Sequence, residues 1–214
     1  MTSKVLAAIE AGGTKFIVSV GEHWQSANQI EIPTTTPTDT MAAVVDFLRK
    51  EYAKRPFCAV GLASFGPICI DPLSPNYGEF GATPKPGWSG FKIRHCLATA
   101  FDVPIAIDTD VNGAAIAEAR CGAGRDAKTV VYATIGTGVG VGVAVNGQSL
   151  NGISHPEIGH IRIPRHPDDA EFSGTCPFHG DCLEGLACGP SIIQRYGSSL
   201  SKLPDDHPGR AIEA

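Results

Sequence analysis

The sequence predicts an α/β protein built from two halves of similar plan, and three observations lead there. Residues 5–20 and 130–145 repeat one pattern: an apolar strand, a Gly/Thr turn and a second apolar strand. Between them, helical periods alternate with short apolar runs, as in α/β sheets. The chain of 214 residues, 43% of them hydrophobic with 25 Gly and 16 Pro, suffices for one large domain or two small ones. We divide it into 1–113 and 114–214.

Val5 to Ile9 reads as a buried strand, Gly12-Gly13 as a tight turn holding Thr14 and Lys15, and Phe16 to Val20 as the returning strand. Met41 to Ala53 places apolar residues at 41, 44, 45, 48 and 52, a helical period, with Thr38, Asp39 or Thr40 as N-cap. Ala59 to Ser64 returns as a strand. Phe65 to Gly90, rich in Gly and Pro and containing Thr83-Pro84-Lys85-Pro86-Gly87-Trp88, reads as an irregular surface loop. Ile93 to Phe101 predicts a short helix, Pro104 to Ile107 a buried strand and Ala114 to Ala119 a helix. Thr129 to Ile135, Gly136 to Gly140 and Val141 to Val145 form the second glycine-turned hairpin.

The clearest chemical signal is His160 followed by Cys176-Pro-Phe-His179-Gly-Asp-Cys182. Zn²⁺ prefers four tetrahedral nitrogen and sulfur ligands, and a short Gly-containing loop can supply three while a fourth comes from upstream. The alternative is that Cys176 and Cys182 are ordinary buried residues beside surface histidines. A zinc ion with four protein ligands is structural; here it would hold the neighbouring His155-Pro-Glu157-Ile-Gly-His160 segment still.

Each Gly/Thr turn alone is an ordinary hairpin, but a facing pair presents two sets of backbone N–H groups suited to a polyphosphate. Gly12-Gly13-Thr14-Lys15 lacks the spacer and following helix of a Walker A loop, and Gly136, Gly138 and Gly140 do not match a dinucleotide fingerprint. Asp110 ends a buried strand just ahead of a helix, where ligands gather in α/β sheets. A carboxylate there can orient a hydroxyl and take its proton during phosphoryl transfer, with Asn112 holding a substrate hydroxyl. Asp108, Asp110 and Asn112 read equally well as turn formers and helix caps.

A formal charge of −5 offers no basic field for a nucleic acid, and the Lys/Arg-rich helix of a DNA-reading zinc finger is missing. Seven cysteines without disulfide-framework spacing fit a reducing cytoplasm. Met1-Thr2-Ser3-Lys4 and the short run after it do not resemble a signal peptide, and no stretch approaches the ~20 apolar residues of a membrane span.

Glu10-Ala-Gly-Gly-Thr-Lys15, Asp108-Thr-Asp-Val-Asn112, Thr134-Ile-Gly-Thr-Gly138, Glu157-Ile-Gly-His160 and the Cys176 to Cys182 knot occur in one order. That series resembles the ROK family of sugar kinases, and its zinc-containing bacterial fructokinase branch in particular, from about residue 5 to the end. The resemblance implies the actin/hexokinase-like (ribonuclease H-like) fold of two α/β lobes with the active site between them. It implies Gly12, Gly13, Thr14 and Lys15 in a first phosphate loop, and Thr134, Gly136, Thr137 and Gly138 in a second. Asp110 matches the catalytic base, and Glu157, His160, Glu184 and Asn112 fall on or beside sugar-binding motifs. His160, Cys176, His179 and Cys182 match the zinc ligands. Glu10 stands where many members carry Asp.

The implied reaction moves the γ-phosphoryl group of ATP, with Mg²⁺, to the 6-hydroxyl of D-fructose; a homodimer is compatible with it. Family members continue past Ile212-Glu213-Ala214 with an adenosine-cradling turn and a last helix. The second lobe is therefore expected to be incomplete, with apolar faces exposed, weaker nucleotide binding and lower stability. The alternatives are a catalytically impaired fragment or sugar-binding remnant, and a kinase for another hexose. DNA-binding regulation is disfavoured, because about ten residues precede Gly12.

Overall fold

The computed structural model describes residues 4–151 and 155–212. The expectations for Met1 to Ser3 and for Glu213 and Ala214 lie outside the described residues. Contacts divide the chain into two compact units, one of Met1–Ala114 with Asn151–His155, the other of Ala115–Leu150 with Pro156–Ala214. Among the described residues no helix is long and apolar enough to cross a membrane.

The first unit is a five-stranded sheet with helices. Strands β1 (Leu6–Ala11), β2 (Lys15–Gly21), β3 (Asn28–Pro33), β4 (Val60–Ser64) and β5 (Ile105–Thr109) lie in the order β3-β2-β1-β4-β5. The glycine-turned hairpin is present, β1 pairing antiparallel with β2 from Leu6↔Gly21 to Ala11↔Phe16. On its other side β1 pairs parallel with β4, and β4 with β5. Strand β3 is an addition to the sequence reading. Only Ile32 on it is buried, so its alternation is too weak to read, and Pro33 ends it where an edge strand tolerates a missing donor.

Helix α1 (Pro37–Lys54) buries Met41, Val44 and Leu48, as their spacing requires. Its N-cap is Thr36, which corrects the expected Thr38, Asp39 or Thr40. The Thr36 hydroxyl accepts from the Asp39 N–H at 3.2 Å, and Pro37 fills the first helical position, where no N–H is needed. Helix α2 (Ile93–Ala100) buries Ile93 and Leu97.

The segment from Phe65 to Gly90 is not the irregular surface loop the sequence suggested. Paired bonds between Cys69 and Glu79 (2.9 Å) and between Gly81 and Pro67 (2.8 Å) fold it on itself. Its apolar residues face inward: Phe80 is 2% and Trp88 0% exposed. Trp88 packs on Phe16, Phe65, Phe80 and Phe91 with ring centroids 5.2–5.5 Å apart, and its indole N–H donates to the Thr35 carbonyl at 2.9 Å. Burying that much aromatic surface with its one donor satisfied outweighs the turn-forming composition that marked the segment as loop.

Helix α3 (Asp110–Cys121) follows β5 directly. The second unit holds a three-stranded sheet, β6 (Thr129–Ile135), β7 (Val139–Val145) and β8 (Gln148–Ser149), in the order β6-β7-β8. It also holds the short helices α4 (Leu183–Ala187), α5 (Gly189–Tyr196) and α6 (Gly209–Ile212). Its hairpin pairs Thr129↔Val145 through Ile135↔Val139. Strand β6 is an edge among the described strands and leaves Val131 61% and Ile135 63% exposed.

Replacing Trp88 by Ala should cost about 3–5 kcal/mol in urea unfolding. Leu73→Ala, at a residue 92% exposed, should stay within about 0.5 kcal/mol of wild type. Equal effects at the two positions would contradict the aromatic anchor.

Candidate functional site

In the first unit, the turn from Gly12 to Thr14 is braced from three directions. The Gly12 N–H donates to the Lys15 carbonyl at 3.0 Å, the Thr34 hydroxyl donates to the Gly12 carbonyl at 2.7 Å, and the Thr34 N–H donates to the Thr14 carbonyl at 2.9 Å. The Lys85 ammonium donates to the Gly13 carbonyl. A Cβ at position 12 would lie 2.7 Å from the Lys15 oxygen, so the turn demands glycine. Gly13 and Thr14 are exposed, and among the described residues their N–H groups have no backbone partner. They are free to face an anion. Lys15 is turned to Glu31, with 2.6 Å between the charged groups.

The parallel register fixes what lies beside this turn. Ala11 pairs with Ser64 and Ser64 with Thr109, so Gly12 and Asp110 each follow the same row of the sheet. Asp110 opens α3, and one carboxylate oxygen accepts from the Val111 N–H at 2.9 Å. Burial holds its carboxyl above the usual aspartate range, against the Val111 N–H and His155, while Glu10 pushes the same way as burial. The Thr109 hydroxyl accepts from the Asn112 N–H at 3.2 Å and lies 3.4 Å from His155 Nδ1.

Asn112 is fully buried; its amide NH₂ donates to Asp108 at 2.7 Å and to Asn151 at 3.1 Å. Its carbonyl oxygen is buried without a partner among the described residues. Sequence reading offered Asn112 to a substrate hydroxyl; the structure ties its amide NH₂ into a clasp under the Asp110 turn. Neither the clasp nor the His155 contact was foreseen, because both depend on residues about 40 positions away.

In the second unit, the turn between β6 and β7 has its own supports. The Gly136 N–H donates to the Gly138 carbonyl at 2.9 Å, and the Gly189 N–H, at the start of α5, donates to the Gly136 carbonyl at 2.7 Å. Glu184 Oε2 accepts from the Val139 N–H at 3.0 Å, and a Cβ on Gly138 would approach that oxygen to 2.7 Å. Thr134 and Thr137 are exposed.

The Glu157-Ile-Gly-His160 segment packs on the same strand, since a Cβ on Gly159 would come within 2.0 Å of the Val139 oxygen. Glu157 is exposed and left-handed, at φ 50° and ψ 44°. A non-glycine residue there costs of order 1 kcal/mol or more and is most often retained at functional positions.

Beside it, His160, Cys176, His179 and Cys182 place their ligand atoms within 4.8 Å of one another. His160 Nδ1 is 3.5 Å from Cys182 Sγ and 3.8 Å from Cys176 Sγ, which is 3.7 Å from His179 Nδ1. Tetrahedral zinc with ordinary Zn–N and Zn–S bonds has N···S edges of about 3.6 Å, so the donor set and its spacing fit that ion. Reciprocal bonds between Cys176 and Gly180, at 3.2 and 2.9 Å, close the knot, with Gly180 left-handed at φ 62°. Leu183 N–H to Ile161 O, at 2.9 Å, ties it to the residue after His160, which ends the 3-10 turn Ile158–His160. Burial pushes the Cys182 thiol up. Arg162 and Arg165 pair with Asp181 inside the knot, and Arg165 and Arg195 with Asp169. These arginines carry no motif and were missed in the sequence.

The ROK family profile matches residues 6–212. The chain is 45% identical over 204 residues to a fructokinase of Zymomonas mobilis, covering 94% of this chain and 67% of that protein. It is 45% identical over 205 residues to a fructokinase of Pediococcus pentosaceus, covering 95% and 69%. Among solved structures, a ROK hexokinase from Thermus thermophilus superposes with a TM-score of 0.70 at 25% identity, over 92% of this chain and 65% of that one. The chain thus spans about two thirds of the length of these relatives. With its glycine-turned hairpins and metal-ligand knot in the order described, the chain belongs to the ROK family.

Proposed function

We propose that this chain is a fructokinase, transferring the γ-phosphoryl group of MgATP to the C6 hydroxyl of D-fructose in the cytoplasm. The observation that carries the reading is the sheet register, which sets the exposed Gly13 and Thr14 amides after β1 and the Asp110 carboxylate after β5 at the same end of the sheet, on either side of β4. Four fructokinases at 43–45% identity support the sugar. Seven cysteines, none in a disulfide, suit a reducing compartment.

In this reading Gly12, Gly13 and Thr14 of the first unit, and Thr134, Gly136, Thr137 and Gly138 of the second, offer backbone and hydroxyl donors to the phosphates. Asp110 accepts the C6 hydroxyl proton as the oxygen bonds to the γ-phosphorus. The bond from that phosphorus to the β,γ-bridging oxygen breaks, and ADP leaves with its electron pair. Because a buried carboxylate holds its proton more readily, Asp110 is a stronger base than a solvated aspartate. Asn112 holds the Asp108–Asp110 turn through its amide NH₂, and its carbonyl oxygen is the atom left to accept from a sugar hydroxyl.

Glu157, His160 and Glu184 bind sugar hydroxyls, Glu184 with the oxygen that Val139 leaves free. His160, Cys176, His179 and Cys182 hold zinc, which supplies a rigid closed scaffold rather than a reactive centre. Lys15, already paired with Glu31, has a lesser part at the phosphates than its place in the turn suggested.

Asp110→Asn should lower kcat for fructose phosphorylation by about 10²–10⁴-fold with the melting temperature little changed. In wild type, kcat/KM should fall as the base is protonated. The raised carboxyl puts that acid limb above the ~3.9 of a free aspartate, measurable in a rate profile from about pH 4 to about pH 8. Full activity of the Asn variant would remove Asp110 from the mechanism.

Metal analysis of the purified chain should find about one zinc ion per molecule, lost in Cys176→Ser and Cys182→Ser. Chelation should lower thermal stability and weaken fructose binding more than nucleotide binding. A metal-free chain of undiminished stability would contradict the zinc assignment.

A further inference from the structure

Phosphoryl transfer needs positive charge at the migrating group, because negative charge spreads over its three outer oxygens. The first turn offers neutral amides at Gly13 and Thr14, and its own cation, Lys15, points to the β3 edge, paired with Glu31 at 2.6 Å. A second ammonium stands at the same turn. Lys85, 72 positions along the chain from Gly13, donates to the Gly13 carbonyl and forms no ion pair among the described residues. An ammonium has three donors, and one carbonyl uses one of them.

The mount beneath Lys85 is rigid. Pro84 and Pro86 fix the backbone on either side, and the Lys85 N–H donates to the Thr83 hydroxyl at 3.3 Å. Trp88 N–H donates to the Lys85 carbonyl at 3.2 Å, and the Ser89 hydroxyl is 3.1 and 3.2 Å from the Thr83 N–H and carbonyl. Gly87 takes φ +79°, where a side chain is strained, against Pro37. Trp88, fully buried among four aromatic rings, pins the segment to the core. A solvent-facing lysine whose only task was solubility has no use for such a support. Groups held this way are pre-organised to meet charge as it develops.

We propose that Lys85 is a catalytic residue, its ammonium bridging the Gly13 carbonyl and the γ-phosphoryl oxygens of bound MgATP and following that group to the sugar hydroxyl. The assignment rests on the reading of the chain as an ATP-dependent kinase. It gives the Thr-Pro-Lys-Pro-Gly-Trp segment a function: Trp88 anchors, Gly87 turns and Lys85 is delivered. The balance of the transfer is unchanged, since Lys85 keeps its proton and contributes charge alone.

The test compares wild type, Lys85→Met, Lys85→Arg and, as a charge control on the exposed face of α1, Lys50→Met. Dissociation constants for MgAMPPNP and MgADP are measured by calorimetry, with kcat for fructose alongside. Lys85→Met should weaken MgAMPPNP by about tenfold or more while MgADP stays within about twofold, and kcat should fall by about 10²-fold. Lys85→Arg should recover most of both, and Lys50→Met should change neither.

Equal weakening of the two nucleotides, or no weakening, would overturn the assignment. If wild type binds both nucleotides but does not phosphorylate fructose, the fructokinase reading fails and the AMPPNP-to-ADP ratio still decides Lys85. A wild-type chain that binds no MgAMPPNP overturns both.

Discussion

The parallel pairing of β1 with β4 and of β4 with β5 is the constraint on which the first unit's chemistry depends. Parallel strands end together, and their connections meet at one edge. The row Ala11, Ser64, Thr109 therefore delivers a glycine turn, the start of the Phe65–Gly90 segment and the Asp110 turn to one end of the sheet. A slip of one residue in either pairing would turn every side chain of a strand to the opposite face. Val60 and Leu62, buried at 1% and 3%, alternate with open positions on β4 and make such a slip costly.

Two different forces then hold the loops that this arrangement brings together. In the first unit the work is done by apolar burial: Trp88 and its aromatic neighbours fix a chain segment whose composition favours turns. An exposed ion pair such as Lys50 with Asp46 contributes about 0.3–0.5 kcal/mol, several-fold less than one buried aromatic anchor. In the second unit the knot is short, buries Cys176 and Cys182 and leaves its one large apolar side chain, Phe178, exposed. Cys176, His179 and Cys182 lie within seven residues there, and their donor atoms, with that of His160, gather within 4.8 Å of one another. The same unit keeps Val131 and Ile135 exposed on β6, so its apolar burial is the smaller of the two.

Much of this was legible in the sequence where the cause is local. Gly12-Gly13 and Gly136 to Gly138 marked both hairpins, because a tight turn with a close backbone approach requires glycine. The four metal-type residues were legible because ligand chemistry restricts residue type as well as spacing. What escaped depends on partners far along the chain. Trp88 could not be read as core without Phe16 and Phe65, and Asn112 could not be read as a clasp without Asn151. The Lys15–Glu31 pair was not legible because Glu31 belongs to a strand with one buried side chain and hence a faint pattern. The α1 cap fell two residues outside the expected window because Thr36 precedes a proline that is itself the first helical residue.

The central claim is that this chain moves the terminal phosphoryl group of ATP to one particular oxygen of fructose. The most direct test is the identity of the product: ³¹P NMR of the purified chain with MgATP and D-fructose, resolving phosphate on C6 from phosphate on C1. The account predicts fructose 6-phosphate appearing in step with ADP. Phosphate on C1, or ATP consumed with release of inorganic phosphate alone, would contradict it.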